Sequence, residues 1–429
     1  MLKQNNLPKL PRSIVTLTLI LILTFIFLSR WFIGAPLTPL DNSYAHLATA
    51  QTISGGQFVE TSLYNYLLAF MPFPWLLPVI LGLLSFHLLG RLLEKKLRSY
   101  ALFLFIVTPL ALTLFTAQTQ AALFFPVALL AFLMYQKGNR FDFITILLGA
   151  LLPLIDLLAG IVVLLVMSLY ALHEGRGRVA GFFILINVLF ILVALFMGFD
   201  PNFSLPGMFF GELGDPYGYS LFIVLLAVFT MMSQIKSLDT GHVLLVTLLF
   251  ALSALLPTLR PLVLVPLIVS AAHALHEFAT KKWALPFLKQ ASTLLLVCLA
   301  LFVALSHAQL LIDSEPQPPI VELAEYVGLD VREGGILVSE DIDGSVLFYS
   351  QKPVVVFGYE DSLFSSVTID ASAPVLRENG VRFFIVSPVL EELAWGRSER
   401  GMRFLMLHNE KFINIMIVEE YELWLVLPE

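Results

Sequence analysis

Long apolar runs separated by short connections constrain this sequence more than any other feature. A helix needs about 20 apolar residues to cross the hydrocarbon core of a bilayer, and the first such run covers residues 13–30. Ten further runs follow, at residues 63–92, 100–115, 121–135, 143–155, 157–172, 179–197, 219–232, 242–256, 261–275 and 286–307. Charged residues make up only 13% of the chain, about half of what a soluble domain carries. The sequence therefore predicts a polytopic α-helical membrane protein with about 11 transmembrane helices.

The basic residues of the connections alternate along the chain. One set of alternate connections is rich in them, with Arg91, Lys95, Lys96, Arg98, Lys137, Arg140, Arg176, Arg178, Lys236, Lys281 and Lys282. The other set, at residues 34–62, 117–120, 153–156, 198–218 and 257–260, contains only Arg260. Lys and Arg are concentrated in cytoplasmic loops. The alternation therefore predicts a cytoplasmic N-terminus and, with an odd number of spans, an extracytoplasmic C-terminus.

The C-terminal part of the chain differs in composition. Residues 310–429 carry a net charge of −13, whereas residues 1–309 carry +6. Patterns typical of helices and strands alternate there, with helices predicted at 320–327, 345–350 and 373–379 and strands at 335–339, 354–357, 383–387, 412–418 and 421–427. We predict a transmembrane domain over residues 1–309 and a soluble extracytoplasmic α/β domain over residues 310–429. Its negative charge argues against nucleic acid as a partner.

Candidate functional side chains collect in the outer connections. Asp41, Glu60 and Asp156 lie near the ends of apolar runs, where an ionisable group is costly and often functional. Arg260 lies at the outer interface, where a guanidinium could bind a lipid phosphate through two hydrogen bonds. The alternative role for Arg260 is that of an interfacial anchor.

The first outer loop, residues 34–62, has the most informative pattern. Asp41, Tyr44 and His46 form the sequence Asp-x-x-Tyr-x-His, and a Gly-Gly pair follows at residues 55–56. The pattern resembles the first loop of the GT-C superfamily of membrane glycosyltransferases. This superfamily includes the oligosaccharyltransferase catalytic subunit, protein O-mannosyltransferases and aminoarabinose transferases. The many spans and the C-terminal domain, in which residues 336–362 are similar to an oligosaccharyltransferase segment, extend the resemblance over the whole chain.

The resemblance implies a membrane glycosyltransferase. A sugar would pass from a polyprenyl-phosphate-linked donor to an acceptor on the extracytoplasmic side, with Asp41 as the catalytic base. Substrate binding would fall to Tyr44, His46, Glu60, Asp156 and Arg260. The partners would be the lipid-linked donor, membrane lipids and an acceptor that is a protein, a lipid or a glycan.

The sequence also departs from the family. Oligosaccharyltransferases carry an Asp-x-Asp motif that helps to bind a metal ion, and here the corresponding stretch is Gln118-Thr119-Gln120. Neutral amides are poor ligands for a hard divalent cation, so we predict no metal site and no cofactor. The Trp-Trp pair of the oligosaccharyltransferase segment is absent as well. The acids left as candidate cation ligands are Asp341, Asp343, Glu360 and Asp361.

Two other functions stay open from the sequence. The first is a non-catalytic GT-C-fold membrane scaffold, which the Gln118-Thr119-Gln120 stretch keeps open. The second is a secondary transporter, for which paired repeats with broken helices are typical. The sequence shows no internal repeat, which weighs against the transporter.

Overall fold

The computed structural model describes residues 11–57, 59, 61–196, 210–211, 215–234, 240–255, 259–280, 286–339, 341–356, 376, 378–388, 406–408 and 410–427. Within these residues the α-helices are α1 (Arg12–Phe32), α2 (Asn42–Ser54), α3 (Leu63–Ala69), α4 (Leu76–Leu92), α5 (Arg98–Val107), α6 (Pro109–Thr116), α7 (Gln120–Gln136), α8 (Asp142–Ile155), α9 (Leu157–His173), α10 (Gly177–Phe196), α11 (Leu221–Gln234), α12 (Thr240–Leu255), α13 (Arg260–Thr280), α14 (Pro286–Asp313), α15 (Pro318–Leu329) and α16 (Asp343–Ser350). The strands are β1 (Gly335–Val338), β2 (Val354–Val356), β3 (Val381–Val386), β4 (Phe412–Val418) and β5 (Tyr421–Val426).

The chain divides into two compact units. The helical unit comprises residues 1–28 and 60–312, and the sheet unit comprises residues 29–59 and 313–429. The sheet unit therefore contains the first outer loop with α2, together with α15, α16 and the strands. That residues 310–429 form a soluble extracytoplasmic domain stays a prediction.

Apolar helices long enough to cross a membrane are present, as the composition predicts. Among the described residues, three stretches meet the length and hydropathy requirement: Ser13–Phe32, Arg260–Thr280 and Phe287–Leu329, the last of which contains most of α14 and all of α15. A fourth span results if α5 and α6 are counted as one bent pair. Shorter apolar helices of 10–17 residues lie at Leu76–Leu92, Gln120–Gln136, Leu157–His173, Gly177–Val193 and Leu221–Met232. The total of about eleven spans stays a prediction.

The run at residues 100–115, predicted as one span, is broken into α5 and α6. The two helices meet at 71°. The break lies at Thr108, whose ψ of 131° is extended rather than helical. Pro109 follows it, and proline disfavours the helical conformation in the residue before it. Hydropathy does not register this backbone restriction, so the apolar run alone did not indicate the break, and one span at these residues stays a prediction.

The strands of the sheet unit form one mixed sheet in the order β2-β1-β3-β5-β4. The first three are parallel, and β5 pairs antiparallel with both β3 and β4. Neighbouring side chains of β3 point to opposite faces, so Phe383 packs with α15 residues on one face and Phe384 packs with Trp424 on the other. The described strands lie within two residues of their predicted bounds. Most of the predicted helix at 373–379 lies outside the described residues.

Candidate functional site

The Asp41 carboxylate of the first outer loop is bound to the first turn of α16. Its Oδ2 accepts a hydrogen bond from the Gly344 N–H at 2.7 Å, and its Oδ1 accepts one from the Ser345 N–H at 2.8 Å. Amides in the first turn of a helix lack a partner within the helix, and the positive end of the helix dipole favours a nearby negative charge. Asp41 is only 8% exposed, so these contacts hold a nearly buried carboxylate.

The environment of Asp41 brings the pKa of its carboxyl group close to neutral pH. Burial raises the pKa of the Asp41 carboxyl to about 7, because an anion loses hydration in a buried site. The hydrogen bonds from Ser345 and Gly344 oppose this rise, and the negative charge of Asp343 adds to it. A general base is most effective when its pKa lies near the working pH.

Tyr44 and His46 lie on α2, one to two turns after Asp41. Tyr44 is 2% exposed, its hydroxyl donates to the Thr38 carbonyl at 3.1 Å, and burial raises its pKa above the ordinary value. Its ring packs against Phe348 and Tyr349 of α16, with centroids 5.5 and 5.6 Å away. The buried Tyr44 side chain therefore packs inside the sheet unit. The His46 side chain is half-buried. Glu60 lies outside the described residues.

Arg30 is a fully buried cation that the sequence did not place among the candidate residues. Its guanidinium donates from Nε to the Pro36 carbonyl at 2.6 Å, from Nη1 to the Ser314 carbonyl at 2.9 Å and from Nη2 to the Pro316 carbonyl at 3.1 Å. It thereby joins the first loop to the segment before α15. Its position could have pointed to it: Arg30 is a basic residue at the outer end of the first apolar run, whereas Lys and Arg are concentrated on the cytoplasmic side.

In the helical unit, Arg260 forms a nearly buried ion pair. Its Nη1 lies 2.6 Å from Asp215 Oδ2 and donates to the Tyr217 carbonyl at 3.2 Å. The Arg260 side chain is 4% exposed and that of Asp215 is 14% exposed. Asp215 Oδ1 also accepts from the Tyr217 N–H at 2.8 Å, which turns the loop back toward the guanidinium. The structure therefore shows that Arg260 binds an anionic oxygen, here supplied by a carboxylate.

Asp156, predicted to bind substrate, is the N-cap of α9. Its Oδ1 accepts a hydrogen bond from the Ala159 N–H at 2.9 Å. This arrangement satisfies one of the unpaired amides at the start of the helix. A role of Asp156 in substrate binding stays a prediction.

We expect Asp156→Ala to lower the free energy of unfolding by about 1 kcal/mol, because the capping acceptor is lost. The midpoint of thermal unfolding in detergent measures this loss. Asp156→Asn is the matched variant, since its amide oxygen can still cap the helix, and it should unfold close to the wild-type temperature. An equal loss in both variants would show that the charge matters here, beyond the cap.

The Gln118-Thr119-Gln120 stretch has structural partners in the helical unit. Gln118 is fully buried, accepts a hydrogen bond from the Tyr64 hydroxyl and donates to the Pro74 carbonyl at 2.8 Å. The Thr119 hydroxyl caps α7 through the Ala122 N–H at 3.3 Å. These neutral, hydrogen-bonded groups do not fit the carboxylate-rich site that a divalent cation prefers. Across the part of the chain that the structure describes, no three His, Cys, Asp or Glu side chains group around a possible metal position.

Comparisons with known proteins rest on structure alone. No protein-family model matches the sequence, and no curated protein matches it. The Archaeoglobus fulgidus oligosaccharyltransferase in its apo form matches with a TM-score of 0.60 and 11% identity, over 89% of this chain and 70% of that chain. The same enzyme with a tethered acceptor peptide matches with a TM-score of 0.54 and 12% identity, over 87% and 69%. ArnT from Cupriavidus metallidurans, bound to undecaprenyl phosphate, matches with a TM-score of 0.58 and 13% identity, over 96% and 97%.

Proposed function

We propose that this chain, an integral membrane protein with a divergent form of the GT-C glycosyltransferase fold, transfers a sugar from a polyprenyl-phosphate-linked donor to an acceptor on the extracytoplasmic side. The strongest support is the likeness to ArnT, because it covers nearly the whole of both chains. ArnT binds undecaprenyl phosphate, and a polyprenyl phosphate is accordingly the carrier that we propose here. The acceptor is a protein, a lipid or a glycan.

In this reaction Asp41 is the general base. It takes a proton from the acceptor nucleophile while the bond from the sugar to the carrier phosphate breaks and the bond from the sugar to the acceptor forms. The polyprenyl phosphate leaves with the electron pair of the broken bond. A carboxylate with a pKa of about 7 supports this role, since it is largely ionised slightly above neutral pH and still accepts a proton readily. His46, half-buried on α2, is the side chain of this loop that we propose to contact the substrate.

Arg260 is the proposed ligand of the carrier phosphate. Its observed partner, Asp215, supports this role because a guanidinium binds carboxylate and phosphate oxygens through the same donors. The donor phosphate would replace the Asp215 carboxylate on the guanidinium. Charge on the departing phosphate is then neutralised by a fixed cation, which lowers the barrier to transfer.

A non-catalytic GT-C-fold scaffold is the second candidate function. One specific observation favours it: the Gln118 side chain, at the position where oligosaccharyltransferases carry a metal-binding acid, is buried and hydrogen-bonded on both sides. A scaffold would bind the lipid-linked sugar without turning it over. Binding without turnover therefore separates the two functions.

Sugar transfer from a panel of radiolabelled polyprenyl-phosphate sugars tests the proposal. Purified wild-type protein should transfer sugar with or without EDTA, and transfer should fall as the pH drops below about 7, because the base must be ionised. Asp41→Asn should reduce the rate by about 10²–10⁴-fold, the usual contribution of a general base.

The matched control is Glu322→Gln, the same change from carboxylate to amide at an exposed position of α15. It should transfer at the wild-type rate. Donor binding by wild-type protein with no transfer from any donor would favour the scaffold. If Asp41→Asn still transferred sugar at the wild-type rate, Asp41 would not be the general base, but the protein would still be a glycosyltransferase.

A further inference from the structure

The contact between Asp41 and α16 joins parts of the chain that are far apart in sequence. The two hydrogen bonds span 303 and 304 residues. Each carboxylate oxygen receives one backbone N–H, and the two donors are consecutive, so the plane of the carboxylate is fixed as well as its position. A single hydrogen bond would leave the carboxylate free to rotate about the bonded oxygen.

Gly344 is required for this contact by space rather than by backbone conformation. A Cβ atom at this position would lie 2.6 Å from the Asp41 carbonyl oxygen, 2.9 Å from Asp41 Oδ2 and 3.1 Å from the Ala45 amide nitrogen. Real Cβ atoms essentially never come within 3.0 Å of a neighbour, as this one would with both Asp41 atoms, and the Asp41 carbonyl oxygen and the Ala45 nitrogen belong to the backbone of the first loop. Any side chain at residue 344 would therefore push the loop and its carboxylate away from α16.

A second contact holds the same two helices together. Tyr44 follows Asp41 by three residues and packs between its own loop and the α16 residues Phe348 and Tyr349. Asp41 therefore contacts the beginning of α16 while Tyr44 contacts its end. Two contacts along one helix fix the angle of α2 as well as its position.

We infer that Gly344 and Ser345 are positioning residues, which hold the first-loop carboxylate in one orientation and dock α2 on α16. Neither residue touches the substrate in this scheme. They act through Asp41, whose two oxygens they bind. The docking of α2 on α16 is argued from the contacts alone. Its effect on sugar transfer rests on the proposed function.

Hydrogen exchange of the intact protein tests the docking without requiring activity. Removing the carboxylate in Asp41→Ala should speed exchange of the Gly344 and Ser345 amides by about tenfold or more, and should speed exchange in α2 as well. Gly344→Ala should speed exchange in α2 in the same way, because it displaces the loop. Glu322→Gln should exchange like the wild type. Unchanged exchange in Asp41→Ala would overturn the inference.

The pH dependence of transfer tests the positioning role. Among the described residues, Asp343 on α16 and Tyr44 on α2 are ionisable groups that interact electrostatically with the Asp41 carboxylate. Gly344→Ala weakens hydrogen bonds that favour the ionised carboxylate, so the acid limb of the rate profile should move to higher pH. Asp343→Asn removes a repelling charge, so this limb should move to lower pH. If the acid limb shifted in the same direction in both variants, or in neither, the positioning role would be overturned. If the wild-type protein transferred no sugar at all, the proposed function would be refuted, and the hydrogen-exchange test of the docking would still stand.

Discussion

Replacing Arg30 by Met should destabilise the sheet unit by roughly 3 kcal/mol or more, because hydrogen bonds from a charged donor contribute about 1.5–3 kcal/mol each. The guanidinium is fully buried and donates to three carbonyls, those of Pro36, Ser314 and Pro316. Met fills a similar volume but donates nothing, so these carbonyls lose their partner in a buried place. The nearby Glu315 and Asp313 also lose the cation that attracts them.

Thermal unfolding and hydrogen exchange of residues 313–317 measure this effect. Arg30→Lys should be intermediate, since an ammonium keeps the charge but lacks the planar fork that reaches several acceptors. Arg332→Met is the matched control, because the same substitution there removes an arginine with a 47% exposed side chain and one ion-pair distance of 3.7 Å. If Arg30→Met unfolded at the same temperature as Arg332→Met, Arg30 would not be an organising residue of the sheet unit.

Replacing Arg260 by Met should have two effects that different variants separate. The first is a loss of roughly 3–5 kcal/mol of stability, because the Asp215 carboxylate is left nearly buried without its cation. The second, which rests on the proposed function, is a loss of about 10²-fold or more in transfer, because the carrier phosphate loses its ligand. Unfolding midpoints and transfer rates of the same preparations measure the two.

The double variant Arg260→Met with Asp215→Asn distinguishes these effects. It should recover much of the stability, because no unpaired charge remains, but none of the transfer. Asp215→Asn alone should keep transfer, since the amide oxygen can still accept from the guanidinium and the proposed phosphate ligand is intact. Recovery of transfer along with stability in the double variant would show that Arg260 acts only as a structural ion pair.

The sequence predicted the features that depend on local patterns. The apolar runs and the first-loop pattern pointed to the GT-C fold, which the structural comparisons confirm. Strands β4 and β5 were predicted within one residue of their bounds, because two β-rich segments are separated by a pair of glutamates at residues 419–420. Such signals extend over a few residues and need no knowledge of distant parts of the chain.

Features that depend on distant contacts were not predictable. The sequence around Asp41 contains no signal that Gly344 and Ser345 bind it, because these residues follow 303 and 304 positions later. Arg30 was visible as an exception to the charge rule, but its acceptors are backbone carbonyls, which every residue has. The break between α5 and α6 had a local cause in Pro109, and attention to the residue before a proline would have revealed it.

The distance along the chain between Asp41 and α16 also sets an order of events during synthesis. Ribosomes add about 5–20 residues per second, so roughly 15–60 s separate the synthesis of Asp41 from that of Gly344, 303 residues later. During this interval α2 lacks α16, the helix that it packs against, and the rings of Phe348 and Tyr349 that cover Tyr44 do not yet exist. The first loop is therefore made early but gains its partner helix only late in synthesis, and a nascent chain released before α16 leaves the Tyr44 ring without the α16 rings that cover it.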